Sequence, residues 1–265
     1  MSADIIDYQI VGDDLQAVIV TLDPGEAVAA EAGAMMFMED GIEMGTQLSM
    51  KRDGGGVFGK LFEAGKRALT GDSFFITYFA NQSGVRRDVA FAAPYPGHVL
   101  PMELGEFGGE VLCQKDSFLC AARGVEIDIA FTKRIGAGLF GGEGFILQRL
   151  RAPSGKGLAI CHAGGTIIPK DLKHGESLRV DTGCIVAFEK SVDYNIQFTG
   201  GFKNALFGGE GLFFARLTGP GRVWLQTLPF SRLADRIVAS APSQGGSAKG
   251  EGSILGGLGR MIDGN

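Results

Sequence analysis

The chain has 265 residues, of which 45% are hydrophobic and 21% charged, so it can build one or two domains with a sizeable core. Its net charge of −5 disfavours binding to nucleic acid, which normally requires a basic surface. The N-terminal sequence lacks the features of a signal peptide, and no apolar run is long enough to span a bilayer as a helix. We therefore expect a cytoplasmic protein.

Glycine and cysteine usage narrows the class further. The 43 glycines are spread along the whole chain and indicate many tight turns. The four cysteines form no Cys-x-x-Cys pair, and three of them lie in apolar, strand-like segments. Such cysteines are typical of buried free thiols in a reducing compartment. They are Cys113, Cys120, Cys161 and Cys184.

A β-strand pattern occurs three times along the chain. It begins at Ile42–Met44 and recurs at Val125–Phe131 and Val192–Phe198, each time with apolar residues alternating with other, mostly polar ones. This period of two predicts strands that place one face on a core and the other face in water.

A glycine-rich turn and two more strands follow each copy of this pattern. The turn Phe140–Gly144 recurs at Phe207–Gly211, and a weaker copy lies at Thr70–Phe74. Runs separated by short clusters of Gly, Pro, Ser or Asn predict hairpins. The predicted hairpin strands are 74–79 with 88–92, 145–150 with 158–162, and 212–217 with 223–228.

These patterns predict an all-β fold of three tandem antiparallel β modules in a pseudo-threefold arrangement. The modules cover about residues 5–92, 93–162 and 163–230 of a single domain, residues 1–240. One module alone would leave its apolar face in water, so the three are expected to share a core.

Two segments depart from the repeat. Apolar residues near helical spacing predict a short helix in an insertion near residues 57–69, and a second short helix is predicted at residues 231–239. The last segment, residues 241–265, is rich in Gly and Ser and is expected to be a flexible tail.

The sequence contains no complete catalytic or cofactor motif. Gly54–Lys60 fits the start of a phosphate-binding loop, but Leu61 stands where Ser or Thr would hold magnesium. His98, His162 and His174 lack metal-ligand spacing, and the chain has no nucleophile elbow. We therefore expect no enzyme activity, no cofactor and no metal. The repeated turn glutamates, Glu143 and Glu210, are expected to be solvated.

Three apolar loops are the candidate functional feature. They precede the glycine turns, and pseudo-threefold symmetry would bring them to one end of the body. Either they pack in the core, or they form an exposed patch for self-association or for contact with an anionic membrane surface. The candidate interaction residues are Phe58, Leu61, Phe62, Leu139, Phe140, Leu206 and Phe207, with the basic residues Lys60, Lys133, Arg134 and Lys203 beside them.

The glycine-rich segments also resemble a known family. Gly33–Met38, Gly54–Phe58 and Gly141–Phe145 are similar to segments in bacterial relatives of the altered-inheritance-of-mitochondria (number twenty-four) family. The resemblance covers roughly residues 5–230. It implies three concatenated copies of the β unit of the tryptophan-responsive RNA-binding attenuation protein, of double-stranded β-helix type. Mitochondrial members are linked with inner-membrane organisation, and no set of catalytic residues comes with the resemblance.

Three hypotheses on function follow. The leading one is a non-enzymatic scaffold or binding protein that self-associates and acts through its apolar loop end, at a membrane surface or with a protein partner. In that case the protein would be cytoplasmic or peripheral to a membrane. The alternative is a small-molecule-binding or enzymatic β module with a pocket on the pseudo-axis. The third, RNA binding, is disfavoured because a shared fold does not carry function and the chain is acidic.

Overall fold

A computed structural model describes residues 3–31, 33–47, 76–133, 145–198 and 213–240. The first strands are β1 (Asp7–Val11), β2 (Ala17–Leu22), β3 (Ala27–Glu31), β4 (Met35–Met38), β5 (Ile42–Gln47), β6 (Ile76–Asn81) and β7 (Arg87–Ala92). There follow β8 (Gly97–Glu103), β9 (Glu110–Gln114), β10 (Phe118–Ala122), β11 (Glu126–Lys133), β12 (Phe145–Arg151) and β13 (Leu158–Gly164). The last are β14 (Ile167–Leu172), β15 (Ser177–Asp181), β16 (Ile185–Glu189), β17 (Asp193–Phe198), β18 (Phe213–Thr218), β19 (Gly221–Gln226) and the helix α1 (Phe230–Ser240).

Three sets of six strands share one pairing order. They are β2–β7, β8–β13 and β14–β19, called here the first, second and third set. In each set, the first and third strands pair with the sixth, and the second and fourth pair with the fifth, all antiparallel. A register shift also recurs in the third strand of each set, between Met35 and Phe37, Phe118 and Cys120, and Ile185 and Ala187. These shifts fix which residues are equivalent in the three sets.

Adjacent sets are joined into larger sheets. The order β5-β6-β3-β10-β13-β8 joins the first set to the second, and β11-β12-β9-β16-β19-β14 joins the second to the third. We call the two joining pairs, β3–β10 and β9–β16, the closed junctions. The remaining strands form a four-stranded sheet, β1-β2-β7-β4, and a three-stranded sheet, β15-β18-β17.

The core consists of three clusters of buried apolar side chains. Val20, Phe91 and Leu119 belong to the first cluster, Cys113 and Trp224 to the second, and Leu147, Phe188 and Leu217 to the third. Strands at the closed junctions are covered on both faces, and β10 (Phe-Leu-Cys-Ala-Ala) is buried throughout. A strand buried on both sides carries a continuous apolar run instead of an alternation.

The prediction of an all-β antiparallel fold is confirmed. The hairpin strands lie where the sequence placed them, with ends shifted by one or two residues, and the C-terminal helix runs one residue further at each end. All the strands lie in one compact unit, Met1–Ser231, and a second unit comprises Arg232–Asn265. The predicted insertion helix near residues 57–69 and the tail, residues 241–265, lie outside the described residues.

The predicted alternation is only partly correct. Val125, Val192 and Ile196 are buried as expected, but Met44 and Ile129 are 55% and 46% exposed. Both residues lie on edge strands, and β11 shifts register just after Ile129. An edge strand has a neighbour on one side only, and its apolar residues differ in burial: Ile42 on β5 and Ile196 on β17 are buried, whereas Met44 and Ile129 are not.

Candidate functional site

The predicted interaction loops fall almost wholly outside the described part of the chain. Of the eleven candidate residues, all except Lys133 lie in residues 48–75, 134–144 and 199–212. Lys133 ends β11, and its side chain is not described. The turn glutamates Glu143 and Glu210 lie in the same undescribed ranges. The loop hypothesis therefore stays a prediction from sequence.

Strand β4 forms the first candidate surface. Among the described strands it pairs only with β7, whereas its equivalents β10 and β16 each pair on both sides. Its residues Met36, Phe37 and Met38 are 57%, 46% and 38% exposed. A sheet edge of large apolar residues is unusual, since natural edges are normally protected by charge, proline or bulges.

Strand β15 forms the second candidate surface. Within the described residues it pairs only with β18, whereas its equivalents β3 and β9 each pair on both sides. Its Ser177 and Arg179 are exposed and Val180 is buried. We call the unpaired sides of β4 and β15 the open edges. In the closed junctions, the equivalents of β4 lie against the equivalents of β15.

The closed junctions share one register. Cys120 lies opposite Ala30 and Ala121 opposite Ala29 in the β3–β10 pair. Ala187 lies opposite Cys113 and Phe188 opposite Leu112 in the β9–β16 pair. The shared bulge makes Phe37 the equivalent of Cys120 and Ala187.

The partner strand can be aligned in the same way. In each set, the first residue of the second strand pairs with a residue of the fifth strand. These pairs are Ala27 with Ala80, Glu110 with Arg151, and Ser177 with Thr218. Counting on from these residues, Val180 is the equivalent of Ala30 and Cys113. Transferring the register of the closed junctions to the open edges places Phe37 opposite Val180 and Met38 opposite Arg179.

Charges next to the open edges are complementary. Glu39 follows β4 directly; its carboxylate accepts a hydrogen bond from the Asp88 backbone N–H at 3.1 Å and lies 3.8 Å from Arg87. The exposed Arg179 lies in the middle of β15. An acidic end on one strand and a cation on the other favour their approach.

A cavity of about 390 Å³ is the second site feature. Several of its wall residues are titratable or aromatic. Its lining comprises Glu31, Gly33, Ala34, Ala93, Pro94, Tyr95, Asp116, Phe118, His162 and Phe230. Its volume is within the range of small-ligand sites, about 300–1,000 Å³. In the described residues, no three His, Cys, Asp or Glu side chains are placed so that they could hold a metal ion together.

Burial changes the acidity of three cavity groups. Removal from water, with repulsion from Asp116, raises the pKa of Glu31 to about 7. Burial, assisted by the neighbouring His98, lowers the pKa of His162 to about 4, so its imidazole is neutral at pH 7. Burial also raises the pKa of Tyr95, whose hydroxyl donates to the Asp116 backbone oxygen at 2.9 Å.

Sequence reasoning identified neither the open edges nor the cavity. The run Met35–Met38 appeared only as part of the family resemblance, although four large apolar residues in one strand predict burial on both faces. His162 lacks metal-ligand spacing, so the sequence alone does not indicate it as a site residue. Glu31, Tyr95 and Asp116 are far apart in the sequence, and no spacing pattern links them.

The described residues thus form antiparallel sheets with two open edges and a cavity lined by both apolar and titratable side chains. The chain belongs to the family described as Mitochondrial biogenesis AIM24, whose model matches residues 8–228. This result confirms the family resemblance inferred from the glycine-rich segments.

Two proteins from Streptococcus pyogenes are similar to this chain. An uncharacterized protein of serotype M6 is 26% identical over 225 residues, which cover 84% of this chain and 86% of the relative. The X-ray crystal structure of a protein from the same species superposes with a TM-score of 0.70 at 23% identity, covering 89% of this chain and 100% of that one. At that identity the structural likeness shows the fold alone. In the described residues, no helix has the length and apolar character needed to cross a membrane.

Proposed function

We propose that this protein is a non-enzymatic scaffold that assembles head to tail, with β4 of one copy paired to β15 of the next copy. One observation carries this proposal. Equivalent strands pair twice within the chain, at the closed junctions, while β4 and β15 each keep an unpaired side among the described strands. A second copy supplies the partner that each open edge is built to take.

The register of the closed junctions defines the contact. Phe37 would lie opposite Val180 and Met38 opposite Arg179, as Cys120 lies opposite Ala30 and Ala121 opposite Ala29. Pairing would extend β1-β2-β7-β4 by β15-β18-β17 into one continuous sheet, comparable to the two six-stranded sheets already present.

Burial of the β4 side chains would drive the pairing. Full burial of a Met or Phe side chain contributes roughly 1.5–3 kcal/mol, and Met36, Phe37 and Met38 are now 38–57% exposed. Backbone hydrogen bonds between the two edges would add direction and register. Because β4 and β15 are different surfaces, the contact is heterologous, and it closes into a ring or continues as a filament according to the rotation between copies.

Assembly would also give the three apolar loops a role. Each added copy brings three further loops with their basic residues, so weak contacts of single loops with anionic lipid would act together. Flotation of the assembled protein with vesicles containing phosphatidylserine tests this part of the proposal. Replacing Phe58, Phe140 and Phe207 together by serine is expected to reduce vesicle binding by roughly tenfold or more. Equal flotation of the variant would contradict a loop contact.

Analytical ultracentrifugation tests the assembly. The wild-type protein is expected to show a mass that rises with concentration. Phe37→Lys places a charge on the open edge and is expected to weaken association by roughly a hundredfold. Met44→Lys is the matched control, because Met44 is also an exposed apolar strand residue (55%) but lies on β5. A wild-type protein that stays monomeric up to millimolar concentration, or equal effects of the two variants, would overturn the proposal.

A further inference from the structure

One wall residue of the cavity, His162, differs from its equivalent in the third set of strands. His162 on β13 is equivalent to Gln226 on β19, because each lies two residues beyond equivalent positions, Ile160 and Trp224, in the shared register. Both polar atoms of the Gln226 amide have a partner: its Nε2 donates to the Gly183 oxygen and its Oε1 accepts from the Gly164 N–H, both at 2.7 Å. In the third set, internal hydrogen bonds therefore satisfy this position.

In the second set the same position carries an unpartnered group. His162 is 2% exposed, and its Nδ1 has no hydrogen-bond partner among the described residues. The ring lies edge-on to Tyr95, with centroids 4.7 Å apart. The equivalent of the Gly183 oxygen, the backbone oxygen of Asp116, accepts from the Tyr95 hydroxyl instead. A buried polar atom without a partner costs free energy, so its retention on a cavity wall needs an explanation.

Gly97 lies close to this imidazole and to the backbone that follows it. A Cβ atom at Gly97 would lie 2.8 Å from Cε1 of His162 and 2.0 Å from the Ala163 oxygen. Both distances are far shorter than a van der Waals contact, so a side chain at Gly97 would displace the histidine or the strand. The chain thus places its smallest residue beside the imidazole on the cavity wall.

The other walls combine negative charge with aromatic surface. Glu31 and Asp116 both line the cavity and are close enough to repel each other, while Lys115 offsets part of that repulsion. Tyr95 and Phe230 lie with ring centroids 5.3 Å apart, and Phe118 adds a third ring to the lining. Carboxylates together with ring faces are the surroundings that an organic cation prefers.

We propose that this cavity binds a small organic cation, a primary alkylammonium or guanidinium with a short apolar group. The cation pairs with the Glu31 carboxylate, and the apolar group contacts Tyr95, Phe118 and Phe230. Movement of His162 toward the bound cation allows its Nδ1 to accept a hydrogen bond. Anionic ligands are disfavoured by the two carboxylates. No residue of β4 or β15 lines this site, so the proposed binding does not rest on the assembly proposed above.

Isothermal titration calorimetry with benzylamine tests this proposal. We expect saturable binding at one site per chain, with benzyl alcohol and phenylacetate at least tenfold weaker. Glu31→Gln is expected to weaken benzylamine binding at least tenfold, while Glu43→Gln, at an exposed position on β5, leaves it unchanged. His162→Gln copies the third set and is expected to weaken binding severalfold. Melting temperatures of the free variants establish that each is folded.

The pH dependence gives a second readout that needs no variant. Protonation of Glu31 competes with the cation, and the pKa of Glu31 is raised to about 7. Benzylamine affinity is therefore expected to fall as the pH is lowered from 8 to 6, while His162 stays neutral over this range. Absence of saturable benzylamine binding at 10 mM would overturn the proposal. So would equal affinity for benzyl alcohol, or an affinity that neither Glu31→Gln nor pH alters.

Discussion

The closed junctions and the open edges contain equivalent strands, which have a partner strand at the closed junctions and lack one among the described strands at the open edges. Cys120 and Ala187 are 0% exposed in the closed junctions, whereas their equivalent on the open edge, Phe37, is 46% exposed. The three strands share their intraset pairing and their bulge, so local geometry does not account for this difference. The presence or absence of a partner strand decides it. An unpaired copy of a pairing position is therefore evidence for a missing partner.

Strands β4 and β10 also differ in side-chain size. Strand β10 presents Cys120 and Ala121 to its neighbour, whereas β4 presents Phe37 and Met38. The β9–β16 junction is intermediate, since it pairs Ala187 with Cys113 and Phe188 with Leu112. Larger, adaptable residues such as Met suit a contact that forms after folding. The open edge is thus not a failed copy of the closed junction, since it carries more apolar surface to bury.

The largest expected effect is on the free energy of unfolding, which a substitution in a closed junction should lower far more than one at an open edge. Leu119 on β10 and Met36 on β4 are equivalent, but Leu119 is 1% exposed and Met36 is 57% exposed. Leu119→Ala is expected to lower the free energy of unfolding by about 2–5 kcal/mol, because it leaves a cavity in the core. Met36→Ala should change it by less than about 0.5 kcal/mol in dilute protein. Urea denaturation at low protein concentration measures both, and equal losses would contradict the exposure difference.

An intermediate effect concerns Glu31, at the end of β3 in a closed junction. Its raised pKa, about 7, means that the folded state keeps a proton that the unfolded state loses near pH 4.5. The contribution of Glu31 to the free energy of unfolding is therefore fully present below pH 4.5 and is lost as the pH rises toward 7. Glu31→Gln is therefore expected to be more stable than the wild type at pH 8, on the order of 1–2 kcal/mol, because Glu31 keeps some contact with water.

Chemical denaturation at pH 4.5 and pH 8 measures this effect. At pH 4.5 the two proteins should have the same stability. His162 acts in the opposite direction, since its lowered pKa removes stability as the pH falls from 6.5 to 4, but it is present in both proteins and cancels in the difference. A variant less stable than the wild type at pH 8 would show that the Glu31 carboxylate is stabilising.

The smallest expected effect is a difference in thiol reactivity between the two regions. Cys120 is buried and its pKa is raised by burial, so it should be inert toward Ellman's reagent. A cysteine at the equivalent open-edge position, Phe37→Cys, should react readily in dilute protein. Assembly at high concentration should slow that reaction by about tenfold or more. A Cys184→Ser background removes the partly buried native thiol, and no protection at high concentration would count against pairing through β4.

Much of the fold could be predicted from the sequence, because it depends on local patterns. Alternation at Val192–Phe198 and the turns beside it predicted strands and hairpins, and the structure has them. The exposure of Met44 and Ile129 could not be predicted, since burial on an outer strand depends on neighbours that local periodicity does not reveal.

The candidate sites were less accessible to sequence reasoning. An open edge is defined by a partner that is absent, and the sequence of β4 resembles that of a buried strand. The cavity brings together Glu31, Asp116 and His162 from β3, the turn before β10, and β13. Such long-range convergence depends on the register between sets, which turn and strand patterns do not specify.

Cysteine cross-linking between copies is the sharpest test of pairing between β4 and β15. Met38→Cys and Arg179→Cys, each in the Cys184→Ser background, are mixed and oxidised. Directly opposed residues of antiparallel strands have Cα atoms about 4.5–5.5 Å apart, which is within disulfide range. Leu178→Cys replaces Arg179→Cys as control, because a slip of one residue points the side chain to the other face.

Head-to-tail pairing of β4 with β15 predicts a covalent dimer from the mixture of Met38→Cys with Arg179→Cys, and little from the control mixture. The double variant Met38→Cys/Arg179→Cys should form covalent oligomers. If the double variant instead forms an internal disulfide at every concentration, and the mixture forms no dimer, then the open edges meet within one chain and the proposed head-to-tail assembly is wrong.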